Sequence, residues 1–304
     1  MVTVHLPPVP GYAALAGALA SAGLGVTDVV HVTEYVTAAT KNDLDAARSF
    51  ALRGHRVPVS RVPIEAVVGS TTPYVLGVTA HPSDGIVYLP SVHTTEGDFR
   101  DQYRWCLARL RELAGDATLV RTIDYTATAT RADYPRCGRP RRDVLGSVHP
   151  AAAGILVDVP VAPGARVALD AVAASGPLRV LNPGWARYDT LTYKPAVQAG
   201  KHVFLSGFGA LDPVTQEALH DGNLPAQAEH IYVSIETVLA EAGASGEHVT
   251  SLVEYVTPAA VEAYPRTKAL REKHFPNAAV VSVVCSALLR PSFLLESVPT
   301  AVLP

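Results

Sequence analysis

Apolar residues recur along this chain in three rounds of the same order. Tyr12, Leu15 and Leu19, then Phe99, Tyr103, Cys106, Leu110 and Leu113, then Ile231, Ile235, Val238 and Ala242 stand three or four residues apart, the spacing that gathers side chains on one helix face. A small connector follows each predicted helix, Gly-containing in the first and third rounds and Ala114-Gly115 in the second. Next comes a β-prone run that holds an acid and a tyrosine: Glu34-Tyr35, Asp124-Tyr125 and Glu254-Tyr255. A second helical stretch covers 43–53, 135–145 and 265–274, the last two opening with Pro, which a first helical turn tolerates. Gly138 and Pro140 predict that the middle one is short or broken.

Each round closes with a Pro-marked entry (Val57-Pro58, His149-Pro150, Phe275-Pro276) into two apolar strand-like runs. These are 62–68 and 74–80, 154–159 and 166–173, and 280–287 and 293–298. Ahead of its helix the third round adds 191–197 and 202–207, which read as a hairpin, the second has only 86–92, and the first has nothing. Tyr134-Pro135-Arg136 and Tyr264-Pro265-Arg266 each begin nine residues past the motif tyrosine, so the repetition is more than hydrophobic pattern. Three units are expected: 1–81 without a front hairpin, 82–175 trimmed, and 176–304 the most complete.

The order α-β-α-β-β predicts an α+β fold of antiparallel strands, with helices on one face of each sheet. The uncovered faces need partners. Packed sheet to sheet, three units bury them in a closed, three-fold barrel-like ring within one chain; the alternative is three domains merely concatenated.

Composition narrows the function. With 304 residues the chain is long enough for a substantial core, and 25 basic against 28 acidic residues, with no Lys/Arg run beyond two, argue against a nucleic-acid partner. Three cysteines without C-x-x-C spacing predict neither a disulfide framework nor a zinc ribbon, and fit a reducing cytoplasm. Residues 6–27 carry no Asp, Glu, Lys or Arg, but three prolines and four glycines make a poor membrane helix, and no basic segment precedes them as in a secretory signal. No metal is expected, because the 11 histidines show neither H-x-H nor H-E-x-x-H spacing. Phosphate-binding glycine loops and the G-x-S-x-G nucleophile elbow are also missing, which leaves proton transfer without a cofactor.

Residues 193–209 with the helix after them, Tyr255, Phe275-Pro276 and the closing Leu295-Glu296 resemble the RidA/YjgF family. The likeness spans 190–302, with weaker copies across 10–80 and 85–174. It implies chorismate-mutase-like units, clefts between neighbouring units, and here an intramolecular pseudo-trimer that is a monomer or homodimer in solution. Family members hydrolyse enamines and imines such as 2-aminoacrylate. Chorismatases, more distant relatives of similar architecture, hydrolyse a cyclohexadiene ether. By this resemblance Tyr193 lies over the ligand, the Ser206-Gly207 backbone approaches its carboxylate with Phe208 beside them, and Glu296 orients water or shuttles a proton. The family's carboxylate-binding Arg is missing, since the run after Phe275-Pro276 is Asn277-Ala278-Ala279-Val280-Val281. Arg61 in the first copy is the nearest substitute, but one residue late, a slip that turns a side chain to the other sheet face.

Each candidate has a plain reading beside the functional one. Glu296, among Phe293, Leu294, Leu295 and Val298, is either an exposed strand-end acid or a buried carboxyl of raised pKa suited to acid/base catalysis. Arg61 either forks a substrate carboxylate or pairs with Glu65 at the surface, and Tyr193 is either a wall and phenolic proton or a core tyrosine. His202 alternates with Phe204 and Ser206, which places it beside the cleft as a proton carrier unless it is merely solvated. Cys285 counts with the substrate-binding residues as an apolar thiol, not as a nucleophile.

The expected function is a cofactor-independent acid/base enzyme of specialised metabolism, such as antibiotic biosynthesis. It would act on a conjugated or aromatic carbonyl-bearing molecule by deprotonation-driven cyclisation or aromatisation. The alternatives are an imine or enamine deaminase, a chorismatase-like hydrolase, and a ligand-binding protein without turnover.

Overall fold

The computed structural model describes residues 3–40, 43–81, 85–158 and 161–304. The first third of the chain forms β1 (Val4–His5), α1 (Tyr12–Ser21), β2 (Val29–Thr37), α2 (Leu44–Ala51), β3 (Val59–Ile64), β4 (Ala66–Val67) and β5 (Tyr74–Ala80). The middle third forms β6 (Ile86–His93), α3 (Phe99–Ala114), β7 (Thr118–Ala127), α4 (Gly138–Leu145), β8 (Ala151–Val157) and β9 (Val167–Ala174). The last third begins with β10 (Leu178–Leu181), the short α5 (Arg187–Thr190), β11 (Ala196–Ala199), β12 (His202–Leu205) and α6 (Leu224–Ala240). It ends with β13 (Val249–Val256), α7 (Lys268–His274), β14 (Ala279–Val284), β15 (Ala287–Leu288) and β16 (Leu295–Val302).

Three sheets result, ordered β1-β5-β2-β3, β15-β8-β7-β9-β6 and β10-β11-β12-β16-β13-β14-β4. In each, the strand with the acid-Tyr pair pairs parallel with the strand after its crossover helix and antiparallel with the next long one. The sheets are therefore mixed and not wholly antiparallel, because a helix crossover returns the chain in its original direction. Val4–His5 forms a strand where none was expected; two residues are too few for alternation to show. The hairpin's first strand begins at Ala196, since the chain before it makes the helical turn Arg187–Thr190. A 3-10 helix, Thr128–Cys137, precedes α4 and leaves it eight residues long, in line with the expected break. Among the described residues no helix is long and apolar enough to cross a membrane.

No sheet closes on itself, so the barrel-like ring resolves into three open sheets that share one of the core clusters. Short strands lace them: β4 leaves the N-terminal sheet to pair with β14, and β15 leaves the C-terminal sheet to pair with β8. The shared core holds Tyr35 and Ile64 from the first sheet, Ile123 and Ile155 from the middle one, and Tyr255, Val283 and Phe293 from the last third. The motif tyrosines meet there, with the hydroxyls of Tyr125 and Tyr255 3.1 Å apart and the rings of Tyr35 and Tyr255 6.5 Å apart.

Alternation along a strand turns the neighbouring acid to the opposite face, under the helices. Glu34, Asp124 and Glu254 are fully buried. Each accepts a hydrogen bond from a tyrosine of the first helix: Tyr12 at 2.6 Å, Tyr103 at 3.1 Å and Tyr232 at 2.7 Å. Each also faces an arginine of the second helix: Arg48 at 3.2 Å, Arg141 at 3.6 Å and Arg271 at 2.9 Å. A carboxylate out of water needs such partners, and this explains why the acid recurs in every round.

Candidate functional site

A cavity of about 610 Å³ opens between the middle and C-terminal sheets. Glu296 of β16, Gly207 and Phe208 after β12, and Ala152, Ala153 and Gly154 of β8 form its floor. Tyr134, Arg141 and Arg142 line one wall, Trp185, Arg187, Tyr188 and Tyr193 another, and Arg290 and Phe293 complete it from the loop before β16.

Two glycines admit the polar groups. A Cβ on Gly207 would lie 2.1 Å from Glu296 Oε1, and one on Gly154 would lie 2.2 Å from the Tyr134 hydroxyl. The carboxyl and the phenol therefore occupy space that any side chain at 207 or 154 would fill. Gly207→Ala is expected to displace the carboxyl and lower turnover about a hundredfold while the fold persists. Steady-state rates beside circular dichroism check this, and an unimpaired variant would show that the reaction does not need Glu296 where it stands.

Glu296 is only 5% exposed. Burial pushes its carboxyl up to about 8, the nearby Asp124 carboxylate adds to the rise, and a hydrogen bond from the Gly154 N–H partly opposes it. At neutral pH the group is mostly a neutral acid that can donate a proton.

Strand register distinguishes these positions from the corresponding ones beside the other acid-Tyr strands. Glu296 stands opposite Tyr255, whereas Val75 stands opposite Tyr35 and Ala168 opposite Tyr125. Gly154 stands opposite Asp124, whereas Ser282 faces Glu254 and Arg61 faces Glu34.

Of the residues singled out from sequence, the structure brings Glu296, Tyr193, Gly207 and Phe208 together around the cavity. Tyr193 packs edge-on to Tyr188 with ring centroids 5.5 Å apart, and burial raises its pKa. The Ser206 hydroxyl lies behind the floor, donating to the Lys194 carbonyl at 2.6 Å and accepting from the Ala152 N–H at 2.8 Å. The Gly207 N–H is also engaged, by the Ala152 carbonyl at 3.0 Å. The two bonds to Ala152 tie the end of β12 to the middle sheet, and none of the three is offered to a ligand.

Three further expectations are corrected. Arg61 does not line the cavity: its Nε bonds Glu34 at 2.8 Å and its Nη2 bonds Asp45 at 2.9 Å, because the register sets it directly beside a buried acid. It does not pair with Glu65 either, which accepts from Ser286. His202 faces away, its Nε2 3.0 Å from the Thr3 hydroxyl and its ring stacked on Phe204, because β12 ends at Leu205 and strand alternation does not carry through to Ser206. Cys285 sits in the shared core with its Sγ 3.6 Å from the Val256 carbonyl, and burial pushes the thiol far up.

Sequence reasoning missed the arginines. Arg141, 2% exposed, donates from Nε to the Tyr103 hydroxyl at 2.8 Å, from Nη1 to the Thr192 carbonyl at 3.3 Å and from Nη2 to the Thr122 hydroxyl at 3.2 Å. The repeat held the missing signal, since Arg141 and Arg271 each stand 17 residues past their acid.

A protein-family model described as endoribonuclease L-PSP matches residues 187–303. Protein DfrA of Myxococcus xanthus is 36% identical over 104 residues, 33% of this chain and 77% of that protein. A RutC family protein of Synechocystis sp. is 28% identical over 114 residues, 37% of this chain and 86% of its own. Among solved structures, a crystal structure of a chorismatase superposes with a TM-score of 0.64 at 17% identity, over 90% of this chain and 93% of that one. At that identity the likeness concerns the fold.

Proposed function

From the premise that the chain belongs to the RidA/YjgF family, the family of the endoribonuclease L-PSP model, we propose a small-molecule acid/base enzyme working in the cleft of Glu296. We read the chain as an intramolecular pseudo-trimer of units 1–81, 82–175 and 176–304, in which the lacing strands β4 and β15 hold neighbours together. The likeness to a chorismatase over nine-tenths of the chain supports this reading. Each cleft then has both its walls within one chain.

The observation that carries the proposal is a carboxyl buried in a cavity with aromatic walls and four arginines, Arg141, Arg142, Arg187 and Arg290, where burial raises its pKa. Guanidinium groups suit a carboxylate, and the rings of Trp185 and Tyr193 suit a flat conjugated body. Glu296 then protonates the unsaturated substrate, and water adds to the cation that results. Cyclisation driven by deprotonation needs the ionised form of Glu296, the minor form at neutral pH. Hydrolysis of the chorismatase type is therefore the favoured reaction, with imine hydrolysis next because it too begins from a proton donor.

The test is to incubate the protein with chorismate and, separately, with freshly generated 2-aminoacrylate, and to follow loss of each. Consumption of chorismate, unchanged by Arg61→Ala, is expected. If neither compound is consumed, or if activity vanishes with Arg61, the assignment of this cleft fails.

A further inference from the structure

Behind the cavity wall stands a second carboxyl group. Asp124 is fully buried; its Oδ2 accepts from the Tyr103 hydroxyl at 3.1 Å and the Tyr134 hydroxyl at 3.2 Å, and its Oδ1 accepts from Thr126 at 3.3 Å. Tyr134 belongs to both surroundings, since it lines the cavity and its hydroxyl reaches Asp124. That hydroxyl rests against Gly154, whose N–H supports Glu296.

The copy in the third round is closed where this one is open. Tyr264 reaches Glu254 in the same way, but the Ser282 hydroxyl sits 2.6 Å from its oxygen and caps it. Gly154 holds the place of Ser282, so no hydroxyl caps the Tyr134 oxygen from that strand, and among the described residues its hydroxyl bonds Asp124.

We propose that Asp124, acting through the Tyr134 hydroxyl, is the base that complements Glu296 as the acid of this cleft. The inference rests on reading the cleft as an acid/base site. Glu296 gives its proton to one carbon of a substrate double bond, whose π electrons form the new C–H bond. A water oxygen bonds the cationic carbon, one water proton passes to Tyr134 Oη, and the Tyr134 proton passes to Asp124 Oδ2. The substrate has gained one water as a hemiketal, Asp124 is neutral and Glu296 is ionised; the hemiketal then breaks its C–O ether bond, its hydroxyl proton passing to the departing oxygen, to give a ketone and an alcohol. Return of one proton from Asp124 to Glu296 through cavity water restores the site.

The acidities favour that return. Burial raises Asp124 only to about 6, because Arg141, Tyr103 and Tyr134 oppose the rise, while Glu296 stands at about 8. Asp124 is faced by Tyr103 and Cys106 from α3, Arg141 from α4, Tyr134 and Cys137 from the turn before α4, Glu296 of β16, and more remotely by Asp170 of β9. Glu296 is faced by Asp124, Tyr193 and Cys285. The pair acts as a unit, so rate against pH should form a bell between its two apparent pKa values.

Two readouts decide the matter. In substrate-free protein, infrared titration of the protonated carboxyl band, identified by its loss in Glu296→Gln, should show a lower midpoint in Asp124→Asn. An unmoved midpoint overturns the coupling. With chorismate as probe, Tyr134→Phe, which removes one oxygen and keeps the ring, should lower kcat about a hundredfold and leave KM within about threefold. A kcat equal to wild type, or a loss confined to KM, overturns the relay. Should wild type prove inert towards chorismate, the proposed reaction falls, and the infrared titration still decides whether Asp124 sets the protonation of Glu296.

Discussion

Glu296→Gln is expected to lower kcat about a thousandfold while ligand affinity changes little, and to make the protein more stable in alkali. The rate effect follows from removing a positioned proton donor, and the unchanged affinity from the neutral state that the acid and the amide share at pH 7. In wild type, activity should fall as pH rises through about 8, where the acid is lost. The stability effect follows from linkage. Burial raises this carboxyl above its unfolded value, so between about 4 and about 8 the folded chain binds a proton that the unfolded chain has released. Stability then falls with rising pH, at up to roughly 1.4 kcal/mol per unit. The amide carries no such proton and escapes the fall. Urea unfolding of both proteins at pH 5 and pH 9, beside steady-state rates, measures the two effects. A Gln variant that turns over substrate normally would sink the assignment of the acid.

Arg141→Leu is expected to cost about 3–5 kcal/mol of stability, because it strips a buried carboxylate of its cation. Asp124 would keep only hydroxyl donors, and its pKa would rise further. The loss should be greatest at pH 8 and shrink towards pH 5 as Asp124 takes up a proton. Arg271→Leu offers the comparison: it breaks the matching pair with Glu254, 2.9 Å apart, but Arg271 does not line the candidate cavity. Both variants should lose stability, and only Arg141→Leu should also disturb the kinetics, since Arg141 lines the candidate cavity and pairs with Asp124. Denaturant titration with steady-state kinetics separates the cases. An Arg141→Leu protein as stable as wild type at pH 8 would mean that Asp124 is carried neutral.

What could be read in advance was whatever depends on neighbours along the chain. The period of Tyr12, Leu15 and Leu19 predicts a helix face, and all three are buried on α1. The run 74–80 predicts a strand with the bounds of Tyr74–Ala80. Glu296 could be singled out because an acid set among Phe293, Leu295 and Val298 must either find water or change its proton affinity, and that dilemma is local.

The partners of these residues could not be read. Arg61 resembled an anchor until strand pairing set it beside Glu34, and His202 resembled a cleft residue until β12 ended one position before Ser206. Nothing within its own segment marks Arg141, yet a contact between α4 and β7 buries it at the cavity wall. The repeats, the element order and the acid-Tyr motif were set by the sequence alone, through periodicities that every short segment carries. Which cleft holds an acid, which arginine faces it, and that Gly154 leaves a phenol uncapped were decided only by the tertiary structure. Register between strands far apart in the chain, and packing between sheets, determine which side chains meet, and neither has a signature within one segment.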